Sequence, residues 1–179
     1  MTRAQLEHII RAACAVADDK EVIVIGSQAI LGQFPLAPAA LVQSLEADVY
    51  PKNHPERAEL IDGALGELSM FHETFGYYAD GVGEKTATLP RDWSARLVPI
   101  CNANTLGGTG WCLEIHDLLV SKYVAGRDKD LRFAAVAAQH HLVDRSTLLD
   151  RLATTPLESS QLNRVHAFIE RDFAFAARE

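Results

Sequence analysis

The spacing of apolar and polar positions predicts helices alternating with short strands. From Thr2 to Asp19, Leu6, Ile9, Ile10, Ala13, Val16 and Ala17 recur at the intervals of an amphipathic helix, and Thr2 with Gln5 is placed as a capping box. A β-branched run, Val22-Ile23-Val24-Ile25, stops at Gly26-Ser27 and is followed by a short helical pattern through Leu31, the grammar of a buried strand turning into a helix. Gly32 to Pro38 reads as a loop or broken helix, with helix resuming over Ala39 to Ser44. Leu45 to Tyr50 reads as a second strand. Pro55 suits the first position of a helix that Glu56 to Leu68 then continues, despite Gly63 and Gly66. Further strands are predicted at Phe75 to Val82 and Ala95 to Ile100, where Pro99 argues for an edge or an end. The glycines of Asn102 to Gly110 make a turn into a short strand, Trp111 to Ile115. His116 to Phe133 predicts a helix that either continues through Gly126 or breaks there into a tight helix-turn-helix. Thr147 to Leu152 and Ser160 to Ala177 predict two more, the latter with a stripe of Leu162, Val165, Phe168, Ile169 and Phe173 for docking on the core or on another copy of the chain.

These elements predict an α/β (α+β) fold: a mixed sheet flanked by helices over residues 1 to 115, followed by a C-terminal helical region over 116 to 179. A length of 179 residues and 48% apolar content suit one globular core with a helical appendage. No apolar run is long enough to span a bilayer, and the first residues lack the apolar core of a signal peptide, so no membrane partner and a cytoplasmic location are expected. Cys14, Cys101 and Cys112 are odd in number and widely spaced, which argues against a disulfide framework and a Cys-rich zinc site. His140 and His141 are neighbours that diverge by roughly 100° on a helix, so they read as helix-end residues rather than ligands of one metal. A net charge of −7 disfavours a broad electrostatic footprint on nucleic acid and leaves room for a small basic pocket.

The candidate chemistry lies in two stretches. At the strand-to-helix turn, Gly26 has no Cβ to keep a ligand from the backbone, and Ser27 adds a hydroxyl at the positive end of a helix dipole, where anions are favoured. About twenty residues later Glu46 and Asp48, two apart on a strand, project from one face and repel each other unless a cation lies between them. Downstream, Lys122, Arg127 and Lys129 form a small positive cluster, with Asp128 and Asp130 inside it to orient the cations; the same residues also read as a solvated helix face.

Strand, Gly-Ser, helix, then acid-x-acid on the next strand resembles the polymerase-β-like nucleotidyltransferases. The resemblance implies a nucleotidyltransferase-type sheet, with Gly26 and Ser27 holding a triphosphate and Glu46 and Asp48 holding Mg²⁺ or Mn²⁺. A third carboxylate on a later strand is also implied, and Asp80 is the best placed by order, although an Asp before a glycine also reads as a turn former. The chain departs from the pattern in having Glu at position 46 and a long interval carrying Pro35 and Pro38. Lys122, Arg127 and then Lys129-Asp130 are similar to the downstream motifs of the abortive-infection type nucleotidyltransferase toxins and their uncharacterised bacterial relatives. That likeness implies a triphosphate contact for Lys122, the last-motif acid for Asp130, and accompanying cations in Arg127 and Lys129. The implied activity is transfer of a nucleoside monophosphate from an NTP to an RNA end, a protein or a small molecule, in a toxin-antitoxin component or another setting, with a homodimer or an antitoxin as partner. The alternative is a scaffold without turnover that works as a binding or antitoxin module.

Overall fold

A computed structural model describes residues 1–176, which form two compact units: Met1–Thr86 with Leu97–Glu114, and Ala87–Arg96 with Ile115 onward. In the first unit, helix α1 (Arg3–Ala17) opens with the expected capping box, in which Thr2 accepts from the Gln5 N–H and Gln5 accepts from the Thr2 N–H. Its stripe of Leu6, Ile9, Ile10, Ala13 and Ala17 is buried, and each such Leu or Ile contributes about 1.5–3 kcal/mol relative to exposure. Five strands follow: β1 (Glu21–Val24), β2 (Glu46–Pro51), β3 (Tyr78–Gly81), β4 (Val98–Ile100) and β5 (Thr109–Cys112). They form one mixed sheet in the order β3-β2-β1-β5-β4, with β1–β2 and β4–β5 antiparallel and β2–β3 and β1–β5 parallel. Val22, Ile23 and Val24 are buried at its centre, and Pro99 lies on the edge strand β4.

Between β2 and β3 run helices α2 (Ala58–Leu65) and α3 (Met70–Phe75), the crossover that parallel neighbours require. Gly81 shows how closely α2 packs: a Cβ there would stand 2.0 Å from the Ala58 carbonyl oxygen and 2.8 Å from the Asp62 nitrogen. Gly81 therefore faces α2, and its register partner Val49 and the alternate residues Ala47 and Ala79 share that buried side.

The local grammar shifts at several places: the helix expected over Ala39 to Ser44 is a 3₁₀ turn, Ala39–Leu41, and the strand expected from Ala95 starts at Val98 after a 3₁₀ turn over Trp93–Arg96. The helix after Ser27 is a six-residue 3₁₀ segment, Ser27–Gly32, rather than an α-helix. The helix expected to reach Leu68 ends at Leu65, with Gly66 as its cap. The strand expected from Phe75 starts at Tyr78, because Ser69 caps α3 by accepting from the His72 N–H and Gly76, at φ 74°, closes it. The strand expected over Trp111 to Ile115 lies earlier, over Thr109–Cys112, and Ile115 instead begins a helix.

The second unit holds α4 (Ile115–Ala125), α5 (Asp128–Gln139), α6 (Arg145–Ala153) and α7 (Ser159–Ala176). The expected last helical residue, Ala177, lies outside the described residues. Leu118, Leu119, Val120 and Tyr123 of α4 are buried, and α5, α6 and α7 all pack on it. Gly126, at φ 66°, breaks the path from α4 to α5. Arg96 clasps α4 through a bidentate pair with the wholly buried Asp117, at 2.8 and 2.9 Å, and Arg151 stands 3.4 Å from the same carboxylate. Among the described residues, no helix is long and apolar enough to cross a membrane.

Candidate metal and nucleotide site

Strand alternation and register build the site. Burial alternates over the first four residues of β2, so that half-exposed Glu46 and Asp48 point away from the side on which Ala47 and Val49 are buried. Parallel pairing sets Asp48 beside Asp80 and Glu46 beside Tyr78. One carboxylate oxygen each from Glu46, Asp48 and Asp80 lies within 4.8 Å of the others. At that spacing each ionised pair repels by about 3 kcal/mol at an effective dielectric near 20. Burial first, then the charges of Glu46, Asp62 and Glu67, push the Asp80 carboxyl up to about 6.

Tyr78 is a member of this face that the sequence reading passed over. Its hydroxyl lies 3.5 Å from Glu46 Oε2, and burial, with Glu46, Glu67 and Asp80, pushes it up to about 12. Its position two residues before Asp80 on one strand was the signal that could have found it.

Gly26 also acquires a different reason. A Cβ at this residue would fall 1.6 Å from Asp48 Oδ2, so the room left by the missing side chain is taken by the Asp48 carboxylate. The backbone there is extended and strand β2 is tied to it directly, the Ile25 N–H donating to the Asp48 carbonyl at 3.1 Å. Ser27 follows as the first residue of the 3₁₀ segment.

The downstream candidates form a cluster of their own in the second unit. Asp130, almost wholly buried, accepts from Lys122 Nζ at 3.1 Å and from Arg127 Nε at 2.6 Å. Burial alone would raise its carboxyl, but the hydrogen bonds and charge of Arg127 and Lys122 outweigh that and hold it below the usual aspartate range. Lys122 is itself buried and lies 4.7 Å over the Phe133 ring, whereas Lys129 is exposed in the first turn of α5. The acid that orients the cations is thus Asp130, and the pair it holds is Lys122 and Arg127. His140 caps the end of α5, as its position suggested.

The donor chemistry of the first cluster fits a hard divalent cation. Three carboxylates with oxygens within 4.8 Å of one another offer the oxygen ligands that Mg²⁺ or Mn²⁺ would take.

A mixed sheet that carries three such carboxylates on two adjacent strands, reached after a strand closed by Gly-Ser, has the features of a nucleotidyltransferase. The chain belongs to the family described as "Nucleotidyltransferase of unknown function (DUF6036)", whose model matches residues 4–174. Membership makes it a nucleotidyltransferase by class, with the polymerase-β-like superfamily and a nucleoside triphosphate substrate implied. No curated protein and no solved structure matches it.

Proposed function

We propose that this protein transfers a nucleoside monophosphate from an NTP to an acceptor nucleophile, with Mg²⁺ or Mn²⁺ held by Glu46, Asp48 and Asp80. The observation that carries this reading is the gathering of those three oxygens on one face of β2 and β3 in a chain of this family. When bound, the cation supplies charge neutralisation on the triphosphate and lowers the pKa of the attacking group. The three carboxylates set its place and give up their mutual repulsion on binding. Gly26 leaves Asp48 room to take part, and Gly26 with Ser27 receives the β- and γ-phosphates. The sequence likeness supports a triphosphate contact for Lys122, with Arg127 and Lys129 as accompanying cations, and Asp130 keeps Lys122 and Arg127 charged and oriented. In this reading residues 1 to 115 form the catalytic core and 116 to 179 serve it.

The acceptor is an RNA end, a protein or a small molecule, and the sequence likeness of the Lys122 to Asp130 stretch to abortive-infection toxins supports a toxin-antitoxin setting in the cytoplasm. A pyrophosphate-release assay with each NTP and Mg²⁺ or Mn²⁺ tests the activity, with Asp48→Asn as the control. Release that is metal-dependent and lost in the variant is the expected result; equal release by both proteins would overturn it. The longer Glu46 in place of the more usual Asp favours a second reading, a scaffold that binds triphosphate without turnover. Calorimetric NTP binding with no pyrophosphate release separates that reading from the first.

A further inference from the structure

Charge is divided unevenly along this chain. From Ala58 to Asp80 it carries Glu59, Asp62, Glu67, Glu73 and Asp80 and neither lysine nor arginine. Within the same stretch, large apolar side chains stand in solvent: Leu68 is 81% exposed, Met70 77% and Leu60 52%. The exposed residues of α2 are Leu60, Gly63 and Ala64 beside Glu59 and Asp62, and a Cβ at Gly63 would meet nothing within 4 Å. A surface helix ordinarily turns its polar side outward, so this face is apolar where solvent alone would favour polar residues. Leu68 sits at φ 64°, an uncommon conformation for a residue with a side chain, and its N–H donates to His72 Nδ1 at 3.1 Å, which holds the loop between α2 and α3 in place.

We propose that the outer face of α2 and α3 is a docking surface for a basic protein segment carrying apolar anchors. The occupant follows from charge complementarity. Apolar side chains rimmed by unopposed carboxylates accept leucine-like anchors flanked by lysine or arginine. Phosphate-rich RNA and anionic lipid are repelled by the same rim. A second copy of the chain docked symmetrically would set this acidic face against itself. Docking here needs no nucleotidyl transfer and stands independently of that activity.

The test is fluorescence anisotropy without metal or nucleotide, so failure of the enzymatic reading leaves it intact. The probes are an 18-residue amphipathic Leu/Lys helix, a Ser/Lys peptide of equal charge, a 20-nucleotide oligo-U and phosphatidylserine vesicles. The Leu/Lys peptide binds at least tenfold more tightly than the Ser/Lys peptide, and added salt weakens it. The pairs Leu68→Ser/Met70→Ser and Glu67→Lys/Glu73→Lys each weaken it at least fivefold with unchanged melting, whereas Glu158→Lys, on exposed surface of the second unit, leaves it as it was. Equal binding of the two peptides, indifference to both double variants, preference for oligo-U or vesicles, or a sedimenting dimer that Leu68→Ser/Met70→Ser dissolves would each overturn the proposal.

Discussion

Replacing Gly26 by alanine isolates the part of the site that depends on a missing side chain. The backbone at Gly26, φ −83° and ψ −167°, is open to alanine, so the substitution carries no conformational penalty of its own. The added Cβ would lie 1.6 Å from Asp48 Oδ2 and 2.6 Å from its Cγ, but already 3.0 Å from its Cβ. Against an ordinary contact of roughly 3.5 Å, the carboxylate must retreat by about 2 Å while the strand beneath barely moves. Rotation of Asp48 to another staggered rotamer meets that demand and carries its oxygens out of a coordination sphere that tolerates deviations of about 0.2 Å. Overpacking usually costs about 1–3 kcal/mol; here the displaced group is the end of one side chain, and Gly→Ala recovers about 0.4–1 kcal/mol from the unfolded chain. Stability should therefore change by no more than about 1 kcal/mol, or ~2–4 °C in Tm. Metal affinity should fall at least tenfold, about 1.4 kcal/mol. Calorimetric titration with Mn²⁺, beside melting curves of the metal-free protein, reads both quantities. Parental Mn²⁺ affinity in Gly26→Ala, or a protein that no longer folds, would refute the reasoning.

Gly81→Ala is the counterpart, because its Cβ would strike the backbone of α2 rather than a side chain; a loss of about 3 kcal/mol and a Tm lower by roughly 6–12 °C are expected by thermal denaturation. Asp48→Asn should melt no lower than the parent without metal, since it relieves repulsion, but should lose the rise in Tm that Mn²⁺ gives the parent. Asp19 accepts hydrogen bonds from the backbone of Glu21, Asn53 and His54 and from the Asn53 side chain; burial raises its carboxyl, but these bonds outweigh it and hold the pKa below the usual 3.8. Its stabilising effect is complete above that ordinary value and fades as pH falls through the depressed one, so the stability gap between parent and Asp19→Asn, about 2 kcal/mol at pH 7 by urea denaturation, should narrow towards pH 3. Arg96→Ala leaves the buried Asp117 without its bidentate partner and should cost about 3 kcal/mol in the same assay.

Much of the fold was legible along the chain because its rules are local. The capping box of Thr2 and Gln5 depends on four consecutive residues, the common face of Glu46 and Asp48 on the two-residue period of a strand, and the edge position of Pro99 on a missing N–H. The break at Gly126 was one of two readings, and φ 66° decided it. Helix α3 was not legible, since its six residues, with Phe71 and Phe75 packed around His8, are held by contacts from α1 rather than by a pattern of their own.

What the sequence determined by itself was most of the elements in their order and which acids share a strand face, because backbone dihedrals and side-chain periods are set by near neighbours. Only the tertiary structure decided that Asp80 stands beside Asp48, that Gly26 makes room for a carboxylate, and that Lys122 and Arg127 share Asp130. Those outcomes follow from lateral register and helix packing. Burial of Ala47, Val49 and Ala79 selects one alignment of β2 with β3, and no stretch of the chain contains that choice within itself.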